Sequence, residues 1–229
     1  MLPVRVKAIL LRRVNYLESD KIVKILTSEG NKVDLIARGV RKNKSKLAGS
    51  IEPFGVFEAC YVPSRKKGLS VLTSARLYKW YKNILLVQDK SYLSFEILRL
   101  TEKNIEENGD PEIFSLVQNF FNKIDCQEVN LTRLKNWYYA NFLRINGILP
   151  KLTVDIDGRA LNSSTKYSFN LAKMGFSKSG DLNQNDIKYL RLVFSKTKSD
   201  LIFRLSIDQE IDKSIENILD SIFKNYLQI

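Results

Sequence analysis

The sequence predicts an α+β protein in which a small N-terminal β-barrel precedes an all-α C-terminal domain with a loop-rich, zinc-free insert. Three observations predict it. Apolar residues alternate with polar ones in short runs up to residue 72, the period turns helical after residue 80, and residues 151–180 lose both patterns and gather Asp, Ser, Asn and Gly. A chain of 229 residues exceeds the usual single core of about 100–150 residues. Two domains are therefore expected, residues 1–80 and 81–229, with the insert at 151–180.

Within the first domain, Val4, Val6, Ala8 and Leu10 alternate with Arg5, Lys7 and Ile9, the pattern of a strand with one well-buried face. Residues 21–27 form a second apolar run, and Ser28-Glu29-Gly30-Asn31 after it carries the glycine of a hairpin turn. Residues 33–37 continue as a third strand and residues 54–62 as a fourth. Residues 69–72 make a fifth, beyond the turn Pro63-Ser64-Arg65-Lys66-Lys67-Gly68. Five short strands in roughly 75 residues, joined by turns and one longer loop, fit a closed barrel of the OB-fold type. Helical spacing then covers residues 83–106, 131–146, 183–196 and 206–227. Asp110-Pro111-Glu112 starts a further helix: a capping carboxylate, a proline in the first turn, and an acid near the positive end of the dipole. Ser206-Ile207-Asp208-Gln209 has the spacing of a capping box. Ile207, Ile211, Ile215, Ile218 and Ile222 line one face of the last helix, which reads as core.

Two absences narrow the chemistry. The sequence has no histidine, which removes His-based acid–base catalysis, Ser-His triads and His-ligated zinc. Its only cysteines, Cys60 and Cys126, are too few for a Cys₃ or Cys₄ zinc site. They read as free thiols in a reducing compartment, each a small buried apolar group. No Gly-x-x-x-x-Gly-Lys-Ser/Thr stretch occurs, so the glycines cradle no nucleotide phosphate. Asp155 and Asp157 lie in a polar stretch and read as solvated carboxylates rather than a metal site. The six acids of the first domain form no clustered pair for metal-assisted cleavage. The sequence thus predicts no enzyme, cofactor or metal. No apolar run approaches the roughly 18 residues of a membrane span, and the first residues alternate charge with apolarity instead of building a signal peptide. A soluble cytoplasmic protein is expected.

The net charge is +12, and its placement carries the functional argument. Residues 1–82 hold 18 Lys and Arg against 6 Asp and Glu, whereas residues 83–229 hold 19 of each. A field concentrated on one domain suits a polyanion. The strongest local signal is residues 37–46, with Arg38, Arg41, Lys42, Lys44 and Lys46 and no acid. Alone, such a run is more often a solvated loop. With the whole excess on one domain, it reads as a rim of cations within reach of successive phosphates, extended by Arg65, Lys66 and Lys67. Phe54, Phe57, Tyr61, Tyr78, Trp80 and Tyr81 could offer faces on which bases stack, although each is first a candidate for core packing. Tyr61 and Tyr81 are expected to be the more exposed, because a buried phenol needs a polar partner.

The first 82 residues resemble the N-terminal domain of the RecO family. The residues that carry this are Ala8-Ile9-Leu10-Leu11-Arg12-Arg13, Tyr16-x-Glu18-x-Asp20, Ile22-Val23 and Leu26-Thr27-x-Glu29-Gly30. They continue through Ala37-Arg38-Gly39-Val40-Arg41-Lys42-x-Lys44-Ser45-Lys46-Leu47-Ala48-Gly49 and Glu52-Pro53-Phe54. In the helical half, Gly147-Ile148-Leu149-Pro150-x-Leu152 looks like the family's approach to its zinc-finger segment. Where many members have Cys-x-x-Cys-Gly, this chain has Val154-Asp155-Ile156-Asp157-Gly158, with no cysteine in residues 159–180. The resemblance implies a bacterial, nucleoid-associated protein of DNA repair and recombination. It would bind single- and double-stranded DNA, anneal complementary strands and, with RecR, help load RecA onto DNA coated by single-strand-binding protein, whose acidic C-terminal tail it would contact. The alternative class is an RNA-binding OB module in translation or RNA metabolism, since the same barrel and charge suit RNA.

Overall fold

The computed structural model describes residues 2–43, 45, 47–64, 68–106, 109–126 and 128–227. Five strands close a barrel: β1 (Val4–Tyr16), β2 (Asp20–Thr27), β3 (Lys32–Ala37), β4 (Gly55–Val62) and β5 (Ser70–Trp80), in the spatial order β1-β2-β3-β5-β4. Neighbours are antiparallel except β3 and β5, whose parallel pairing of Leu35 with Ser70 completes the wall. The alternation in the sequence is the cause. Val6, Ala8, Leu10, Val23, Ile25 and Leu35 meet in one buried core, while Arg5 and the other exposed positions face solvent. The fifth strand is longer than the apolar run predicts. Residues 73–80 pair with β4 as far as Trp80 opposite Gly55, and Thr73, Ser74, Arg76 and Tyr78 read as non-strand only because that face is wet.

One irregularity in β1 shapes the rest. Its register with β2 shifts between Leu10 and Arg12, and its pairing with β4 runs only from Val4 to Ile9. Residues 12–16 are therefore paired to β2 alone, and with residues 17–20 they form an exposed arm at the edge of the barrel.

Two helices complete this half, α1 (Gln88–Asn104) and α2 (Pro111–Ile124). The single helix expected over 83–106 is instead a 3₁₀ turn at Lys82–Leu86 and then α1, separated by Val87 in extended backbone (φ −124°, ψ 120°). The predicted start of α2 is observed: Asp110 accepts a hydrogen bond from the Glu112 amide and Pro111 follows it. Fully buried Phe54 joins barrel to helices, its ring 4.7 Å from that of Phe95 and 5.7 Å from that of Phe121. Gly30 in the β2–β3 turn (φ +86°) lies so close to the 109–110 backbone that a Cβ would sit 2.5 Å from the Gly109 oxygen. Residues Met1–Glu128 form one compact unit; the barrel ends at Trp80, but the unit continues through α2.

Val129–Ile229 form a second compact unit. Its helices are α3 (Leu131–Ile145), α4 (Gln184–Val193) and α5 (Gln209–Tyr226), with a 3₁₀ turn at Ser199–Arg204. The rings of Tyr139 and Phe223, 4.1 Å apart, pack α3 on α5. Ser206 does not cap α5; Asp208 does, accepting from the Glu210 amide, because an ionised carboxylate nearer the first turn is the stronger acceptor. Beneath this helix, Asp212 accepts from Arg133 at 2.9 Å and from the Tyr189 hydroxyl at 2.6 Å. The insert is more ordered than its composition suggests. It contains a hairpin of β6 (Tyr167–Asn170) and β7 (Gly175–Lys178), held by the Phe176 ring against Tyr167 and Phe169. Asp155, expected in solvent, is 3% exposed, and its carboxylate accepts the amides of Asp157 and Arg159. It fixes the turn at residues 155–159.

The zero charge balance of residues 83–229 is a sum of unlike parts. Residues 83–128 hold 4 Lys and Arg against 9 Asp and Glu, and residues 129–229 hold 15 against 10. The expectation of a neutral helical remainder is corrected accordingly. The first compact unit neutralises part of its own barrel: Glu102 of α1 takes Lys24 at 3.2 Å and Arg12 at 3.9 Å.

Candidate nucleic-acid interface

The arm of β1 and β2 positions the loop that follows β3. The Gly39 amide donates to Asp20 Oδ1 at 2.8 Å, and the Arg41 amide donates to the Ser19 carbonyl at 2.9 Å. The Arg41 guanidinium reaches the Leu17 carbonyl at 3.3 Å. Gly39 adopts φ +63°, a left-handed turn that glycine permits without strain and that lets its amide face the carboxylate. This geometry holds the Asp20 carboxyl below its ordinary range, chiefly through the Gly39 amide, with Ser19, Arg38 and Lys42 adding to it.

Around this junction the cations gather. Arg38, Arg41 and Lys42 are exposed, and none forms an ion pair with a described carboxylate. Lys21 and Arg13 stand beside them on the arm. Burial pushes the Lys21 ammonium down, and repulsion from Arg13 and Arg41 pushes it further, against the opposing pull of Glu52. Like charges held this close are costly unless a counter-charge arrives. A phosphate backbone supplies one at regular spacing.

Several other barrel cations are spent on structure. Arg5 pairs with Glu58 at 3.5 Å and Arg13 with Glu52 at 3.5 Å. Lys32 donates to the Glu102 and Ile105 carbonyls near the end of α1, and Lys7 to Gln118. Of the cations expected at the rim, Arg38, Arg41 and Lys42 are brought together; Lys44, Lys46, Arg65, Lys66 and Lys67 lie outside the described residues.

The expected aromatics sort differently. Tyr81, anticipated as exposed, is fully buried, with its hydroxyl donating to Asn122 at 2.9 Å. Tyr61 is half-buried against the barrel core, and its phenol is raised by burial and then by Glu29. Glu29 sits in the β2–β3 turn, six residues of β3 away from Arg38, or about 20 Å at strand rise. Tyr61 therefore stands apart from the cation cluster. The aromatic beside the cluster is Tyr16 at the end of the arm, 41% exposed, which the sequence reading passed over. Its signal was available in Arg12-Arg13 and Lys21 flanking a short turn, but nothing in the spacing says that the arm is exposed. Tyr78 and Trp80 are also exposed, on the outer face of β5. Cys126, expected buried, is exposed at the end of α2, and Cys60 is half-buried. Among the described residues, no three of His, Cys, Asp and Glu come together as metal ligands, and no helix is long and apolar enough to cross a membrane.

The family model described as "Recombination protein O N terminal" matches residues 1–81, the barrel and its closing residues. Over these residues the chain is similar to the RecO family. It is 27% identical over 173 residues to a DNA repair protein RecO of Syntrophus aciditrophicus, covering 75% of this chain and 66% of that relative. A similar protein of the same description from Desulfosudis oleivorans is 28% identical, covering 62% and 56%. One from Dehalococcoides mccartyi is 25% identical over 226 residues, covering 93% and 86%. The matches to the first two span under two thirds of those relatives' own length. The matched region contains the whole arm and loop junction.

Proposed function

We propose that the chain binds DNA without sequence preference through Lys21, Arg38, Arg41 and Lys42, and anneals complementary strands. One observation carries this reading: three exposed cations without described carboxylate partners are anchored by Asp20 and Ser19 to an exposed arm, while several other barrel cations hold the fold. Annealing requires two phosphate backbones to be neutralised and no catalytic group, which a chain without histidine can provide. Kinship with proteins described as DNA repair protein RecO supports a role in repair and homologous recombination. In that role the chain acts with RecR to load RecA onto DNA coated by single-strand-binding protein, whose acidic tail it contacts.

If about six side chains meet phosphates, log affinity for a single strand falls with log salt at a slope of about −4. A flat response would remove the proposal. Replacing Arg38, Arg41 and Lys42 by alanine should reduce that slope by about 2, and an unchanged slope would move the site elsewhere. Competition between DNA and RNA of the same sequence separates the RNA reading, and a pulldown with RecR tests the partnership.

A further inference from the structure

The wall of the arm continues into a groove. Between β1 and α1 lies an open cleft of about 760 Å³. Leu11, Arg12 and Arg13 come from the strand, and Phe95, Arg99 and Lys103 from the helix. Phe95, Arg99 and Lys103 follow one another at four-residue intervals, so they share a helix face and rise about 6 Å per step. The Phe95 ring rests on Phe54 at 4.7 Å, yet the residue is 49% exposed, an aromatic fixed in place with open surface. Among the described residues the only acid in the lining is Glu102, and it is already engaged by Lys24 and Arg12. Arg99 and Lys103 are exposed and form no ion pair with a described carboxylate. A cleft with apolar floor, a supported ring and surplus positive charge on its helix wall fits an anion that also carries flat apolar surface.

We propose that this groove is a second segment of the nucleic-acid track, in which a single strand leaving the arm places a base against Phe95 and its phosphates on Arg99 and Lys103. The inference rests on the reading of the arm as a DNA surface and extends it from barrel to helix. Continuity favours a nucleic acid over a peptide. Arg13 belongs both to the groove and to the cation cluster, three residues from Tyr16, or about 10 Å of strand. Aromatic stacking next to a cationic stripe is how single strands are held without regard to sequence.

The test is binding of oligothymidylates of two lengths, about 6 and about 16 nucleotides, the range of site sizes on one barrel. The short strand is held by the arm, and the longer one gains the groove. In R99A/K103A, both positions exposed, the longer strand should bind about tenfold more weakly and lose about 1.4 from its salt slope, with less than about a twofold change for the short one. F95L keeps an apolar side chain on Phe54 but removes the stacking face; it should cost the longer strand about fivefold. Equal loss at both lengths, or none at either, overturns the groove as a track. A groove variant that keeps its DNA length dependence but no longer holds an acidic peptide overturns it too, in favour of peptide docking. Failure of the parent reading looks different, because the unaltered protein would then bind neither length in a salt-dependent way.

Discussion

Arg41 and Arg133 are the same residue type in the two compact units, and the structure uses them in opposite ways. Arg41 is exposed, holds one carbonyl of the arm and has no described ion-pair partner. Arg133 is nearly buried, its side chain 12% exposed, and it binds Asp212, itself 1% exposed, together with the carbonyls of Ile202, Leu205 and Ile207. Charge count treats them alike. What separates them is whether the chain supplies the counter-charge. A cation whose partner is built in serves the fold, and one whose partner is missing is free to meet an external anion.

The largest effect should come from Arg133→Ala. It leaves Asp212 buried with the Tyr189 hydroxyl and Asn130 as its remaining side-chain donors, a loss of about 3–5 kcal/mol. Denaturant unfolding measures it. Arg38→Ala, Arg41→Ala and Lys42→Ala should each stay within about 0.5 kcal/mol of the unaltered protein while weakening DNA binding. If the loop variants unfold the chain, or Arg133→Ala leaves it stable, the division between structural and available arginines breaks down.

Gly30→Ala sharpens the comparison within the first unit. It places a methyl 2.5 Å from backbone atoms of Gly109 and Asp110 and forces an alanine to φ +86°, a strain of about 1–3 kcal/mol. The damage should fall on the seating of the β2–β3 turn against the 109–110 segment and leave the arm and its cations in place. Thermal unfolding should therefore shift down while the salt slope of DNA binding holds; a changed slope would mean that the arm depends on that seat.

The difference also explains what the sequence could reveal. Period-2 runs such as Val4 to Leu10 announce themselves because one face is buried, and Asp110-Pro111 marks a helix start by local chemistry alone. The arm is hidden because residues 12–18 bury neither face, so no alternation distinguishes strand from loop. The hairpin of β6 and β7 has only four residues per strand, and its anchors Tyr167 and Phe176 find each other across the turn at residues 171–174. The free cations were legible as a basic run, but their freedom was not, because Arg12 and Arg13 look the same until Glu102 and Glu52 are placed beside them. Fully buried Tyr81 shows the converse: the rule that a phenol needs a polar partner was sound, and Asn122 of α2 supplied the partner from inside.

The smallest expected effect concerns pH, and it divides the two regions by sign. Asp20 has its folded pKa lowered from an ordinary value of 3.8. Its contribution is thus present above that value and lost as pH falls through the lower folded one. The carboxylate is only half-buried and anchors one loop, so the consequence is local: the Gly39 amide should loosen in acid and release the loop from the arm. Tyr189 is raised from 10.0, first by burial and then by its bond to Asp212. Its contribution is present below pH 10 and declines as the pH rises past it, because the unfolded chain sheds that proton first. The Asp20 junction should therefore fail on the acid side and the Arg133–Asp212–Tyr189 network on the alkaline side. Following the Gly39 amide resonance should give a titration midpoint below 3.8 that disappears in Asp20→Asn, which keeps an acceptor but not the charge. Tyr189→Phe should remove part of the alkaline loss of stability and leave the Gly39 titration untouched. A Gly39 midpoint at or above the ordinary carboxyl value would mean that the amide does not hold Asp20, and the loop would lose its anchor on the arm.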